Sequence, residues 1–175
     1  MKTVLSNRLK YLYTGECFSM ILFVPLSFYL NAAFPDLQLY SLFSFWVSFI
    51  LLEFLLLQGA IYWYAKLKRL KKEQSAITPI KTVRLLHRLK IVNKGLIIAG
   101  VFAFGIDFIQ HYPNLPAGGL LISFFIYIFA ILEFINYFYT QLSYGRIFEI
   151  KNLLRNRTLK RSSLSKDFER MKNLH

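Results

Sequence analysis

Two long stretches of the chain, Tyr11 to Ala65 and Gly95 to Gly145, contain no lysine or arginine and are dominated by apolar residues. Crossing about 30 Å of hydrocarbon takes roughly 20 apolar residues in a helix, so each stretch has room for two helices and a turn. The turns are visible as Phe34-Pro35-Asp36-Leu37 and Tyr112-Pro113-Asn114-Leu115-Pro116. At each, proline removes a backbone donor and crowds the preceding helical turn. The pattern predicts an all-α polytopic membrane protein with four transmembrane helices, over residues 12–33, 39–65, 94–112 and 117–144, arranged as two similar hairpins. Residues 1–145 form the transmembrane domain, with a cytoplasmic loop at 66–93, and residues 146–175 form a basic cytoplasmic tail.

Composition and charge sharpen this reading. At 55% hydrophobic and 18% aromatic, a chain of 175 residues is too apolar for a soluble core of its size, so the excess must face lipid. The net charge of +13 is confined to three blocks, Lys2 to Lys10, Lys66 to Lys94 and Arg146 to Lys172. Basic residues next to spans stay on the cytoplasmic side, so both termini and the central loop are expected inside and the proline turns outside, in the cell membrane. Residues 1–33 are read as a first span and not as a signal peptide, because the apolar run is long and Asn31-Ala32-Ala33 is a poor cleavage site. The single Cys17 excludes an internal disulfide and any multi-cysteine metal centre, and no cofactor is expected.

The basic segments carry their own pattern. Residues 1–10 read as a short interfacial helix among anionic headgroups. Residues 80–93 set Ile80, Val83, Leu86 and Leu89 against Lys81, Arg84, Arg88 and Lys90, a basic amphipathic helix expected on the inner membrane surface. Thr78 is its expected N-cap, with Pro79 at the first helical position, and Ser165 is the expected cap of a last short helix. His87, among cations, reads as solvated. Nothing here resembles a base-reading motif, so nucleic acid is not an expected partner.

Acidic residues inside apolar runs are the candidate chemistry. Leu52-Glu53-Phe54 matches Leu132-Glu133-Phe134, and the turns match at a similar offset, which points to duplication of a two-helix unit. Glu53 and Glu133 each precede the first following cation, Lys66 or Arg146, by 13 residues. That is ~20 Å of helix, near the membrane middle, where an ionised carboxylate costs at least roughly 3 kcal/mol. Gly119, Ser123, Ala130, Glu133, Tyr137, Thr140 and Tyr144 share one face of the fourth helix, with Asn136 and Gln141 beside it, so Glu133 is expected to face the interior. The two glutamates are expected at equivalent places about a pseudo-twofold axis. Whether they are neutral interhelical hydrogen-bond glue or a proton or ligand site stays open at this point.

Helix three spaces Gly95, Ala99, Ala103, Asp107 and His111 four apart. The first three read as a contact ridge. Asp107 and His111 read either as a proton or cation site or as a mutual hydrogen bond closing the helix end. Ser41, Ser44 and Ser48 allow close packing of helix two, and Glu16, six residues past Lys10, is expected to reach headgroup water or a basic neighbour.

The segments Leu132-Glu133-Phe134-Ile135-Asn136-Tyr137-Phe138-Tyr139-Thr140-Gln141-Leu142-Ser143-Tyr144 and Leu159 to Asp167 resemble a group of small four-span bacterial membrane proteins loosely labelled general stress proteins. The resemblance covers the last quarter of the chain and implies a bacterial cytoplasmic membrane; it implies no activity.

No nucleophile–base pair, phosphate loop or metal-spaced His/Cys set is present, so the chain is not read as an enzyme. The expected function is that of an integral membrane binding or interaction protein, holding a lipid or apolar ligand or serving as subunit of a membrane complex. The alternative is a small proton- or cation-coupled transporter using Glu53 and Glu133, although parallel repeats are not the inverted kind many carriers use. The candidate site residues are Glu133, Glu53, Asn136, Tyr137, Asp107 and His111, with no metal. Expected partners are membrane lipids, with anionic headgroups at the cytoplasmic face, and a second copy or another membrane protein.

Overall fold

A computed structural model describes residues 2–75, 77–140 and 161–173. The described chain is helical: α1 (Lys2–Ala33), two short 3-10 turns (Pro35–Leu37 and Leu39–Ser41), α2 (Phe43–Glu73), α3 (Ile80–His111), α4 (Ala117–Phe138) and α5 (Ser163–Lys172). Among the described residues there is no strand, only an isolated bridge between Thr140 and Arg161. α1 to α4 are each long and apolar enough to cross a membrane, which points to a multi-pass membrane protein.

The helix ends differ from those expected, and each difference has a local cause. The basic segment 2–10 is the first part of α1, because nothing between Lys10 and Tyr11 breaks the helix. Residues 80–93 likewise run into the apolar part of α3 without interruption, making a helix of 32 residues or ~48 Å. Val83 and Leu86 are fully buried in the main core and do not face outward as a surface helix requires. α4 ends at Phe138 and not at residue 144. The N–H groups of Tyr139 and Thr140 both return to the Ile135 carbonyl, and Ser162 then takes up the exposed carbonyls. The positions Gln141 and Tyr144, expected on the same helical face, lie outside the described residues.

Ser162 joins two helix ends. Its hydroxyl donates to the Tyr137 carbonyl at 2.6 Å and accepts from the Ser165 N–H at 3.0 Å, while its own N–H donates to the Tyr139 carbonyl. One residue therefore satisfies orphan carbonyls of α4 and an orphan donor of α5. Ser162, and not Ser165, is the N-cap of the last helix. α5 then buries Leu164 and Phe168, with the Phe168 ring edge-on to His87 and stacked on Phe138. His87 is thus half-buried against an aromatic ring instead of solvated.

α2 is the axis of the bundle, packing along α1, α3 and α4. Its most apolar stretch is 56% buried, against 6% for α1. α3 and α4 meet over a shorter length, around Phe104, Phe124 and Tyr127. Beyond Val83 and Leu86, the buried positions of α3 are Asn93, Gly100, Ala103 and Asp107, whereas Gly95 and Ala99 of the expected ridge are exposed. In the middle of α2 and α3, Gln58 and Asn93 exchange two amide hydrogen bonds, at 3.0 and 2.9 Å, with both side chains buried. Such a pair fixes the register of the two helices, since any slip leaves buried donors without acceptors.

The turn between α1 and α2 is pinned from three sides. The Tyr40 N–H donates to the Asn31 side chain, Tyr40 Oη pairs with Ser27 Oγ, and the Trp46 indole donates to the Tyr40 carbonyl. Gly119 lets this turn approach α4, because any Cβ there would collide with the Leu37 carbonyl. α1 itself contains Pro25, which leaves the Ile21 carbonyl without its usual i+4 donor.

Candidate functional site

A groove of about 1130 Å³ opens between α1, α2, α4 and the start of α5. Its deeper part carries the polar cluster. Glu133 and Asn136, three residues apart on α4, are joined by a hydrogen bond from Asn136 Nδ2 to Glu133 Oε2 at 3.2 Å. Tyr137 Oη donates to Glu16 Oε1 of α1. Glu16 therefore does not lie free among headgroups, as its position after Lys10 had implied. A phenol 121 positions away in sequence captures it, and both carboxylates line the same groove.

Gly59 of α2 makes room for this pairing. A Cβ at position 59 would lie 2.5 Å from Tyr137 Oη and 3.1 Å from the Glu16 carboxyl carbon. The hydrogen-bonded Tyr137–Glu16 pair thus rests directly on the α2 backbone, a close approach that only glycine permits. One turn on, Trp63 lines the same groove.

Glu133 lies five residues before the end of α4 at Phe138, and Arg146 lies outside the described residues. Glu53, on the unbroken α2, keeps its depth, 13 residues before Lys66. It is half-buried, it does not line the groove, and its Oε1 is buried without a hydrogen-bond partner among the described residues. Glu53 and Glu133 therefore do not form one shared site about a twofold axis.

Asp107 and His111 are also elsewhere, at the opposite end of the bundle. The Asp107 carboxylate is fully buried and accepts from the Phe43 N–H at 2.9 Å and the Ser44 N–H at 2.7 Å. These are the first two orphan donors of α2, whose own N-cap, Leu42, has no side chain to offer them. Asp107 thus caps a neighbouring helix, with its charge at the positive end of the α2 dipole. His111 Nδ1 contacts the Asp107 backbone carbonyl at 3.0 Å, so the expected carboxylate–imidazole pair does not form.

Cations surround the outer part of the groove. Arg8 comes from α1, Lys66 from α2, and Arg161 and Lys166 from the segment leading into and along α5. Behind them Asp167, buried, accepts from Tyr62 Oη at 2.9 Å and from Thr78 Oγ1 at 2.6 Å, and pairs with Arg170 at 3.0 Å. Thr78 spends its hydroxyl on this contact and not on capping α3, whose N-cap is Pro79. Arg170 adds a bond to the Thr78 carbonyl at 2.9 Å. The last helix is thereby tied to α2 and to the chain entering α3.

Among the described residues there is no cluster of histidine, cysteine, aspartate or glutamate that could hold a metal ion. Comparison with protein families, with curated proteins and with solved structures finds no match for the chain.

Proposed function

We propose that this is an integral membrane binding protein that holds a lipid or apolar molecule in the groove between α1, α2 and α4. In this reading it lies in a bacterial cytoplasmic membrane, with both termini and residues 66–93 on the cytoplasmic side. The observation that carries the proposal is the groove itself: at about 1130 Å³ it exceeds the roughly 300–1,000 Å³ of ordinary small-molecule sites. Its walls combine Leu12, Phe18, Phe23, Leu56 and Phe129 with a compact polar cluster. Apolar walls with a few convergent polar groups are what an amphipathic ligand needs for affinity and orientation.

Gly15 offers a direct test, because it lines the groove and a Cβ there meets nothing within 4 Å. Gly15→Phe should fill the groove and abolish retention of a lipid or apolar probe, measured by native mass spectrometry from detergent, while the protein melts as before. Full retention in this variant removes the groove as a binding site.

One observation favours transport as a second reading: two carboxylates, Glu16 and Glu133, face a single groove. A proton- or cation-coupled carrier would use this pair in place of the expected Glu53 and Glu133. In that case Glu133→Gln, which keeps size and an acceptor but loses the charge, abolishes pH-dependent flux into liposomes between about pH 5 and 8. Undiminished flux in Glu133→Gln excludes the carrier reading and leaves binding.

A further inference from the structure

We propose that the occupant of the groove is an anionic phospholipid, its phosphate seated among Arg8, Lys66 and Lys166 and its acyl chains running past the aromatic wall. This rests on the reading of the groove as a ligand site and specifies what the ligand is.

Charge is distributed along the groove in two layers. Arg8 precedes Glu16 by eight residues on α1, which is ~12 Å of helix rise. On α2, Lys66 lies seven residues beyond Gly59, on which the Glu16–Tyr137 pair rests, or ~10 Å. Two independent helices thus set the same distance between a cationic mouth and an acidic interior. An anion finds cations at the mouth and none among Glu16, Glu133, Asn136 and Tyr137, so an amphiphile with an anionic head is oriented with that head at the mouth.

The mouth has cations to spare. Arg161 is engaged by Glu169 and Arg170 by Asp167, but Arg8 and Lys166 have no carboxylate partner among the described residues. Both are exposed at the groove edge, on helices that are not neighbours in sequence. Lys66 donates a long bond to Tyr62 Oη at 3.3 Å, lies 5.4 Å over the Tyr62 ring and has the Asp167 carboxylate behind it. Three ammonium or guanidinium donors brought to one groove from three helices suit a phosphate with several acceptor oxygens, and Arg8 supplies the planar fork for it. A soluble phosphate would use the mouth alone. The apolar walls below it, continuous with the exposed face of α1, give a lipid additional contact that phosphate lacks.

The test uses the full chain in a non-ionic detergent, titrated with phosphatidylglycerol, phosphatidylcholine, diacylglycerol or inorganic phosphate, with adducts counted by native mass spectrometry. Phosphatidylglycerol should bind at least about tenfold more tightly than phosphatidylcholine, inorganic phosphate should not compete at comparable concentration, and the preference should shrink as salt rises. In the double variant Arg8→Gln, Lys166→Gln, which alters exposed and unpaired side chains, the preference for phosphatidylglycerol should fall about tenfold while diacylglycerol binding is unchanged. If diacylglycerol and phosphatidylglycerol bind alike and the double variant changes neither, the groove holds a neutral ligand and the anionic proposal is wrong. If phosphatidylglycerol binding depends on Arg8 and Lys166 but survives Gly15→Phe, the cations meet the bilayer surface and the groove-seated lipid is wrong. If nothing binds to the wild type, the underlying reading of the groove fails as well.

Discussion

Replacing Asp107 by alanine is expected to lower stability by about 3 kcal/mol, because two charge-assisted hydrogen bonds are lost and two backbone donors are left dry. The carboxylate is fully buried and both of its oxygens are used, so the Phe43 and Ser44 N–H groups have no alternative acceptor in the first turn of α2. Asp107→Asn should recover only part of the loss. The amide keeps one acceptor but turns an N–H₂ toward a backbone N–H, and it no longer opposes the positive end of the helix. Thermal unfolding in detergent measures both effects. Because α2 is the helix along which all the other spans pack, the transition should move as a whole instead of splitting in two. An Asp107→Ala protein that melts with the wild type would falsify the assignment of this residue as the cap of α2.

Asp167→Ala has a different signature. It leaves the Tyr62 and Thr78 hydroxyls and the Arg170 guanidinium without their common acceptor, in a buried place where breaking such a set costs about 3–5 kcal/mol. The loss is confined to α5, whose hold on the rest is Ser162, Leu164, Phe168 and this cluster. Hydrogen exchange in residues 163–172 should therefore accelerate by two orders of magnitude or more, while α2 and α4 keep their protection up to the Tyr137 carbonyl. Exchange in α5 equal to that of the wild type would show that the apolar contacts of Leu164 and Phe168 suffice without Asp167.

The four apolar helices were legible in the sequence because lipid-facing residues and proline turns leave a signal that needs no knowledge of tertiary contacts. Their ends were not. The start of α2 is fixed by Asp107, 64 positions downstream, and the end of α4 by Ser162, so no local reading of Ser41-Leu42 or Phe138-Tyr139 could locate them. The candidate site shows the same division. Glu133, Asn136 and Tyr137 were singled out by their common face on one helix, and the structure puts them on one groove wall. Glu16 was assigned to headgroup water or a basic neighbour because its place was judged from Lys10 alone, when its partner is the hydroxyl of Tyr137. For Glu133, counting to Arg146 assumed a helix that continues, whereas α4 stops eight residues earlier. The signal that Asp107 and His111 share a helix face was real, but the carboxylate serves another helix and the imidazole contacts only the backbone.

The proline of α1 divides that helix by task. Ser27 and Asn31, which tie it to the turn, lie after Pro25, whereas its groove-lining residues, Val4 to Phe23, all lie before it. α1 leans mainly on α2, and the one carbonyl that proline leaves without a donor falls between the two portions. Bending there sacrifices one hydrogen bond fewer than anywhere else along the rod. α1 is therefore anchored twice by different means: after the proline by polar contacts to the turn, and before it by Leu5 and Leu9 packed on Leu67 and Leu70 of α2.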